Sequence, residues 1–145
     1  AMAAFERNPA YYTLYFSATR RYLPKWAGSL EKLEEFATKA AALTADEEGQ
    51  ALYARIYWSA SYDTSQTSLY NKTSAQWETM RQGFEDILEK YPDAWNTYHF
   101  ALFACAARDD ETAAKLVKKF SKKGVPNKFP DRDRFKACKE RLGRT

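Results

Sequence analysis

Apolar residues recur at helical spacing along most of the chain, and turn residues separate the repeats. Tyr11, Tyr15, Ala18 and Tyr22 stand at i, i+4, i+7 and i+11, on one face of a first helix that Pro24 ends. No stretch alternates as a strand does, so the sequence predicts an all-α fold of about seven helices. Similar stripes place the other six at about 30–43, 45–61, 73–91, 93–108, 110–123 and 131–142.

Helix starts are marked by residues that cap free backbone amides. The segments Thr44–Glu47 and Thr73–Gln76 have the spacing of capping boxes, with a hydroxyl at the cap and Glu or Gln three residues later. Asp93 is expected to cap the next helix, and either Asp109 or Asp110 the one after it. These signals set the predicted boundaries.

Short connections favour antiparallel neighbours, so the helices are expected to pair as hairpins. The helix over 93–108 is apolar on nearly every side and is therefore predicted to be the central element. Stacked hairpins of this length are typical of an α-solenoid like that of tetratricopeptide (TPR) proteins. The predicted domain covers 4–145, with hairpins at 10–43, 45–91 and 93–123 and a capping helix at 131–142.

Two strings support a family resemblance. Residues 22–29 read YLPKWAGS and residues 100–109 read FALFACAARD. Both resemble strings of an uncharacterised bacterial domain-of-unknown-function family with degenerate TPR/Sel1-like repeats. Ala27 and Arg108 each replace a glycine of the family pattern. The resemblance implies a helical-repeat fold and a bacterial origin, and it implies no known reaction.

Charge is concentrated near the end of the chain. The net charge is +4, yet residues 110–145 carry 12 Lys and Arg against 5 Asp and Glu. Such a segment favours an acidic partner, nucleic acid or an anionic surface, and a solvated helix face is the plainer interpretation. The basic patch consists of Lys118, Lys119, Lys122, Lys123 and Lys128.

Catalytic equipment is sparse in the sequence. The single histidine, His99, and two cysteines fall short of the ligand sets of ordinary zinc sites. The chain has neither a glycine-rich phosphate loop nor a Gly-x-Ser-x-Gly elbow. We therefore expect no metal, no cofactor and no catalysis. The alternative is an enzyme of unknown class with a pocket formed by Tyr side chains and His99.

Cys105 and Cys138 both fall on predicted inward faces. If the fifth and seventh predicted helices pack side by side, the two thiols meet and can form a disulfide. Two separate buried thiols are the other interpretation. The spacing alone leaves both open.

The leading functional hypothesis is a non-catalytic helical-repeat module that binds a protein or peptide, as a scaffold or an inhibitor or immunity-type protein. Tyr and Trp are abundant, and stacked hairpins expose a concave face on which Arg and aromatic residues anchor partners. Plain packing between helices is the alternative explanation of these rings. The candidate contacts are Tyr12, Arg20, Lys25, Trp26, Arg55, Tyr57, Trp95 and His99.

The chain begins Ala1-Met2-Ala3, which is typical of a scar left by tag removal. If the segment removed upstream was a signal peptide, the protein is periplasmic or secreted, and otherwise it is cytoplasmic. No run of apolar residues in the sequence is long enough to span a membrane.

Overall fold

The structure is a computed structural model that describes residues 30–62, 69–70 and 73–144. Within these ranges it contains six helices and no strand, which confirms the all-α prediction for this part of the chain. The helix predicted before Pro24 lies outside the described residues. The chain divides into two compact units, residues 1–90 and residues 91–145, and each is considered by itself.

The N-terminal unit contains α1 (Leu30–Glu48), α2 (Ala51–Ala60) and α3 (Trp77–Lys90), and α2 contacts both of the others. The connection between α1 and α2 is very short, since only Gly49 and Gln50 separate the two helices. Apolar positions at helical spacing on all three helices supply the core. Its largest fully buried side chains are Tyr53, Tyr57, Phe84, Leu33, Leu52, Ile56, Leu69 and Met80.

The capping box predicted at Thr44 is wrong. Thr44 lies inside α1, where its buried hydroxyl donates to the carbonyl oxygen of Ala40 at 3.0 Å. The chain instead breaks at Gly49, whose φ of 58° is in the left-handed region that glycine tolerates. The next amide, on Gln50, donates to the Asp86 carboxylate at 2.8 Å. A residue of α3 therefore fixes the start of α2.

The second capping box also differs from its prediction. The Thr73 hydroxyl accepts a hydrogen bond from the Ala75 amide at 3.1 Å, and α3 begins only at Trp77. The Gln76 amide donates across the unit to the Tyr53 hydroxyl at 2.9 Å. A contact with α2 thus takes the place of the local box.

The C-terminal unit contains α4 (Ala94–Ala106), α5 (Asp110–Lys118) and α6 (Arg132–Leu142). Asp93 accepts from the Asn96 amide at 2.8 Å, and Asp109 accepts from the Thr112 amide at 3.2 Å, so both expected caps are confirmed. All residues of α4 from 96 to 104 are buried, as its apolar sequence predicts.

An aromatic cluster forms the core of the C-terminal unit. The Tyr98 ring lies 5.0 Å from the rings of Phe129 and Phe135 and 6.0 Å from that of Phe120. Tyr98 also donates its hydroxyl hydrogen to the carbonyl oxygen of Pro130. One side chain of α4 therefore holds the end of α5, the connector and α6 together.

A disulfide joins Cys105 to Cys138, with their Cα atoms 6.1 Å apart. Because Phe135 packs on Tyr98 near the start of α4 and Cys138 meets Cys105 near its end, α6 runs in the same direction as α4. At the far end of α6, Arg141 donates to Asp110 at 2.8 Å. No helix in the described ranges has the length and apolar character needed to cross a membrane.

Candidate partner-binding groove

Four of the eight predicted recognition residues, Arg55, Tyr57, Trp95 and His99, lie within the described part of the chain. Tyr12, Arg20, Lys25 and Trp26 lie outside the described residues. Arg55 is half-buried on α2 of the N-terminal unit, and Trp95 of the C-terminal unit is 41% exposed. Of the described candidates, Trp95 is therefore the most exposed, and its ring also packs on those of His99 and Phe129.

Tyr57 was expected at the recognition surface, and this is wrong because its side chain is fully buried. Its hydroxyl donates to the Glu34 carboxylate at 2.7 Å, and the Tyr53 hydroxyl donates to the same oxygen at 2.7 Å. Burial, reinforced by the Glu34 carboxylate, raises the pKa of Tyr57. Burial likewise raises the pKa of Tyr53, although the Gln76 amide opposes it. These phenols stay protonated and join α1 to α2.

His99 is also interior, with only 2% of its surface exposed. The ring lies 4.4 Å from Trp95 and 5.5 Å from Tyr98, both nearly edge-on. Burial lowers its pKa to about 4, and the nearby Asp131 carboxylate only partly opposes this. The imidazole is therefore neutral at physiological pH, and its burial removes it from any contact with a partner.

An open groove lies on the C-terminal unit between the end of α5 and the outer face of α6. Its volume is about 290 Å³. Its apolar floor is formed by Val117, Phe120, Val125 and Phe135. We call this feature the α5–α6 groove.

The rim of the α5–α6 groove carries three cations, Arg132, Lys136 and Lys139, with Asp133 among them. They stand at i, i+4 and i+7, so one face of α6 presents all three. Arg132 also donates to the carbonyl oxygens of Val125 at 2.9 Å and Pro126 at 2.6 Å. It thereby fixes the connector that closes one end of the groove.

Turn geometry also shapes the start of this connector. Gly124 has a φ of 69°, and its amide donates to the Phe120 carbonyl oxygen at 2.9 Å. This left-handed residue ends the turns that follow α5 and directs the connector back toward α6. Space around Gly124 is open, since an added Cβ would meet nothing within 4 Å.

The five lysines of the basic patch are all exposed, as are Lys136 and Lys139. Among the described residues none of these seven side chains makes an ion pair, whereas Lys115 pairs with Glu111 and Arg141 with Asp110. The C-terminal unit carries 13 Lys and Arg against 7 Asp and Glu. The groove therefore lies in a field of unneutralised positive charge.

The sequence predicted the five lysines of the basic patch but not the α5–α6 groove. The spacing of Arg132, Lys136 and Lys139 was visible in the sequence as a cationic stripe. The spacing could not predict that Phe120, distant along the chain, packs on Phe135 with ring centres 5.5 Å apart. That contact turns a charged helix face into one wall of a groove.

Comparison of the chain with protein-family models, with curated proteins and with solved structures finds no match. Within the described ranges, no group of three or more His, Cys, Asp or Glu side chains is placed to hold a metal ion. The function must therefore be argued from the groove itself.

Proposed function

We propose that this protein is a non-catalytic helical module that binds a protein partner through its C-terminal unit. The observation that carries the proposal is the α5–α6 groove, where an apolar floor lies open beside cations that have no ion pair within the described residues. Protein interfaces typically combine an apolar core with a polar, solvent-accessible rim.

The content of the groove favours binding over catalysis. Its lining contains no Ser, Thr, Cys, His or Tyr. The groove is open to solvent, and its volume of about 290 Å³ is near the lower end of the range of ligand pockets. His99, the residue on which an enzyme hypothesis depends, is not part of the lining.

We further propose that the helices belong to a degenerate TPR-like solenoid of the bacterial family that the sequence resembles. The parallel course of α4 and α6, with α5 between them in sequence, supports a repeating hairpin. Arg108 has a φ of 60° at the position where the family pattern has glycine, which also supports the assignment. The disulfide favours an oxidising compartment.

Photo-crosslinking tests the binding role. A crosslinking amino acid replaces Lys136 in the groove or, as the control, exposed Glu85 on α3, and each protein is incubated with an extract of the source organism. We expect Lys136 to yield one discrete protein adduct that excess unlabelled wild-type protein suppresses and that Glu85 does not yield. Diffuse adducts at both positions, or an adduct that survives competition, would overturn the proposal.

A further inference from the structure

We propose that the α5–α6 groove takes an acidic segment of a protein, with one apolar side chain seated on its floor and carboxylates facing α6. This inference rests on the proposed function and specifies the chemistry of the partner.

Charge complementarity is the first argument. Arg132, Lys136 and Lys139 span about 10 Å along one face of α6, since a helix rises 1.5 Å per residue. A partner with carboxylates at similar spacing places one opposite each cation. Asp133, the only acidic group in the lining, would repel a carboxylate placed beside it. It thereby limits the registers that the partner can adopt.

The apolar floor of the groove narrows the class of partner further, because lysines alone would attract any polyanion. Phe120 and Phe135 line the groove with only 8% and 5% of their surfaces exposed. Their rings are recessed, so they offer an apolar seat for an inserted side chain. A volume of about 290 Å³ is sufficient for an apolar side chain of the partner.

The low exposure of the apolar floor also disfavours the two other anionic partners, nucleic acid and an anionic membrane. Single-stranded nucleic acid gains affinity by stacking bases on open aromatic faces, and Phe120 and Phe135 expose only 8% and 5% of their surfaces. An anionic membrane is bound by apolar side chains that project into it, and here the apolar side chains lie below the charged rim. An acidic peptide that carries its own apolar side chain fits both features.

The test uses the whole protein and a defined probe. The probe is an acetylated peptide of about twelve residues with one central Leu flanked by Glu, and binding is measured by fluorescence anisotropy at low salt. Companion peptides replace Leu by Ser or every Glu by Gln. We expect the probe to bind, each companion to bind at least about tenfold more weakly, and added salt to weaken the probe.

Two variants locate the site. Lys136→Glu with Lys139→Glu reverses the rim, and Val125→Phe fills the groove from the half-buried edge of its floor. Each is expected to weaken the probe about tenfold or more. The control, Lys32→Glu with Lys39→Glu on exposed positions of α1, changes the net charge equally and should leave most of the binding. Circular dichroism verifies that every variant is folded.

Each result decides between the two proposals. Equal binding of the probe by wild type and groove variants would overturn this inference. Failure of the probe together with a competed adduct from Lys136 would overturn it and leave the proposed function standing. Failure of the probe and of the adduct, with binding of a uridine homopolymer or of phosphatidylglycerol vesicles, would overturn both.

Discussion

The two units hold their helices together by different means. In the N-terminal unit, polar side chains cross between helices: Glu34 accepts from two phenols, and Asp86 accepts from the Gln50 amide. In the C-terminal unit, an aromatic cluster and a disulfide do this work, with Arg141 and Asp110 at the edge. Carboxylates thus join the helices of the N-terminal unit, whereas rings and a covalent bond join those of the C-terminal unit.

The disulfide of the C-terminal unit offsets the electrostatic cost of its exposed lysines. The C-terminal unit keeps seven exposed lysines that have no ion pair within the described residues, and their mutual repulsion opposes folding. The disulfide offsets this cost because it restricts the unfolded chain without using a surface charge. The N-terminal unit has no disulfide within its described residues, and the carboxylates of Glu34 and Asp86 accept hydrogen bonds between its helices.

The largest expected effect comes from removing that bond. Replacing Cys105 and Cys138 together by Ser opens a loop with a sequence separation of 33 and should destabilise the C-terminal unit by about 3–4 kcal/mol. Hydrogen exchange read by mass spectrometry reports the units separately. Protection should fall in α4, α5 and α6 and stay in α1, α2 and α3. An equal loss in both units would show that the bond does not distinguish them.

A reducing agent provides the control for this substitution. It should lower protection of the wild-type C-terminal unit to the level of the double variant and should leave the double variant unchanged. If reduction affects the double variant as strongly as the wild type, the loss has another origin.

The second prediction is a pH dependence of the free energy of unfolding that the buried side chain of His99 causes. Its pKa of about 4 in the folded protein lies below the unfolded value of 6.5, so the unfolded chain takes up the proton first. The stabilisation is complete above pH 6.5 and is lost as pH falls toward 4. After allowance for solvent screening, the loss should be about 2 kcal/mol. Urea unfolding at several pH values measures it.

The control for this pH effect is His99→Gln, because carboxylates also titrate in the same range. The difference between the wild type and this variant isolates the imidazole. We expect the variant to be less stable at pH 7 and to lose less stability on acidification. Parallel pH curves for the two proteins would contradict the burial of a neutral imidazole.

The caps show which parts of this fold could be read from sequence. Asp93 follows Pro92 and precedes an apolar run, so a local signal and a local contact coincide, and the prediction is confirmed. Thr44 carried an equally good signal, yet its hydroxyl satisfies a carbonyl within its own helix. The actual break at Gly49 and Gln50 depends on Asp86, a partner that no local pattern reveals.

The candidate site also combines features that local sequence predicts with features that depend on distant residues. Exposed lysines are visible as a charge run, and helical spacing identifies the stripe on α6. The surface assignment of Tyr57 is wrong because neighbours on other helices bury it, whereas the burial of His99 agrees with the apolar sequence of its helix. Spacing alone left the pairing of Cys105 with Cys138 open, and the disulfide of the structure places α6 beside α4.

A third prediction addresses the inward polar network of the N-terminal unit. Tyr57→Phe removes one of two hydrogen bonds to the buried side of Glu34 and should lower the free energy of unfolding by about 1.5 kcal/mol. Tyr62→Phe is the control, because Tyr62 is 73% exposed, and it should have no measurable effect. Equal effects of both substitutions in urea unfolding would show that the bond to Glu34 contributes nothing specific.

The smallest expected effect tests how closely α2 and α3 approach. A Cβ added at Gly83 would lie 2.5 Å from the Gln50 carbonyl oxygen and 2.7 Å from the Ala54 Cβ. Such overlap forces the helices apart at a cost of about 1–3 kcal/mol, and the higher helix propensity of Ala returns about 0.5–1 kcal/mol. Gly83→Ala should therefore lower the stability of the N-terminal unit by about 1 kcal/mol.

Gly143→Ala is the matched control in the C-terminal unit, because its nearest contact would be an ordinary 3.5 Å and its φ is −69°. It should be neutral or slightly stabilising. If both alanines stabilise, the approach of α2 and α3 yields to a methyl group. The stability of the N-terminal unit would then depend more on its polar network than on close packing. Glu34, which accepts hydrogen bonds from both phenols, would be the central residue of that network.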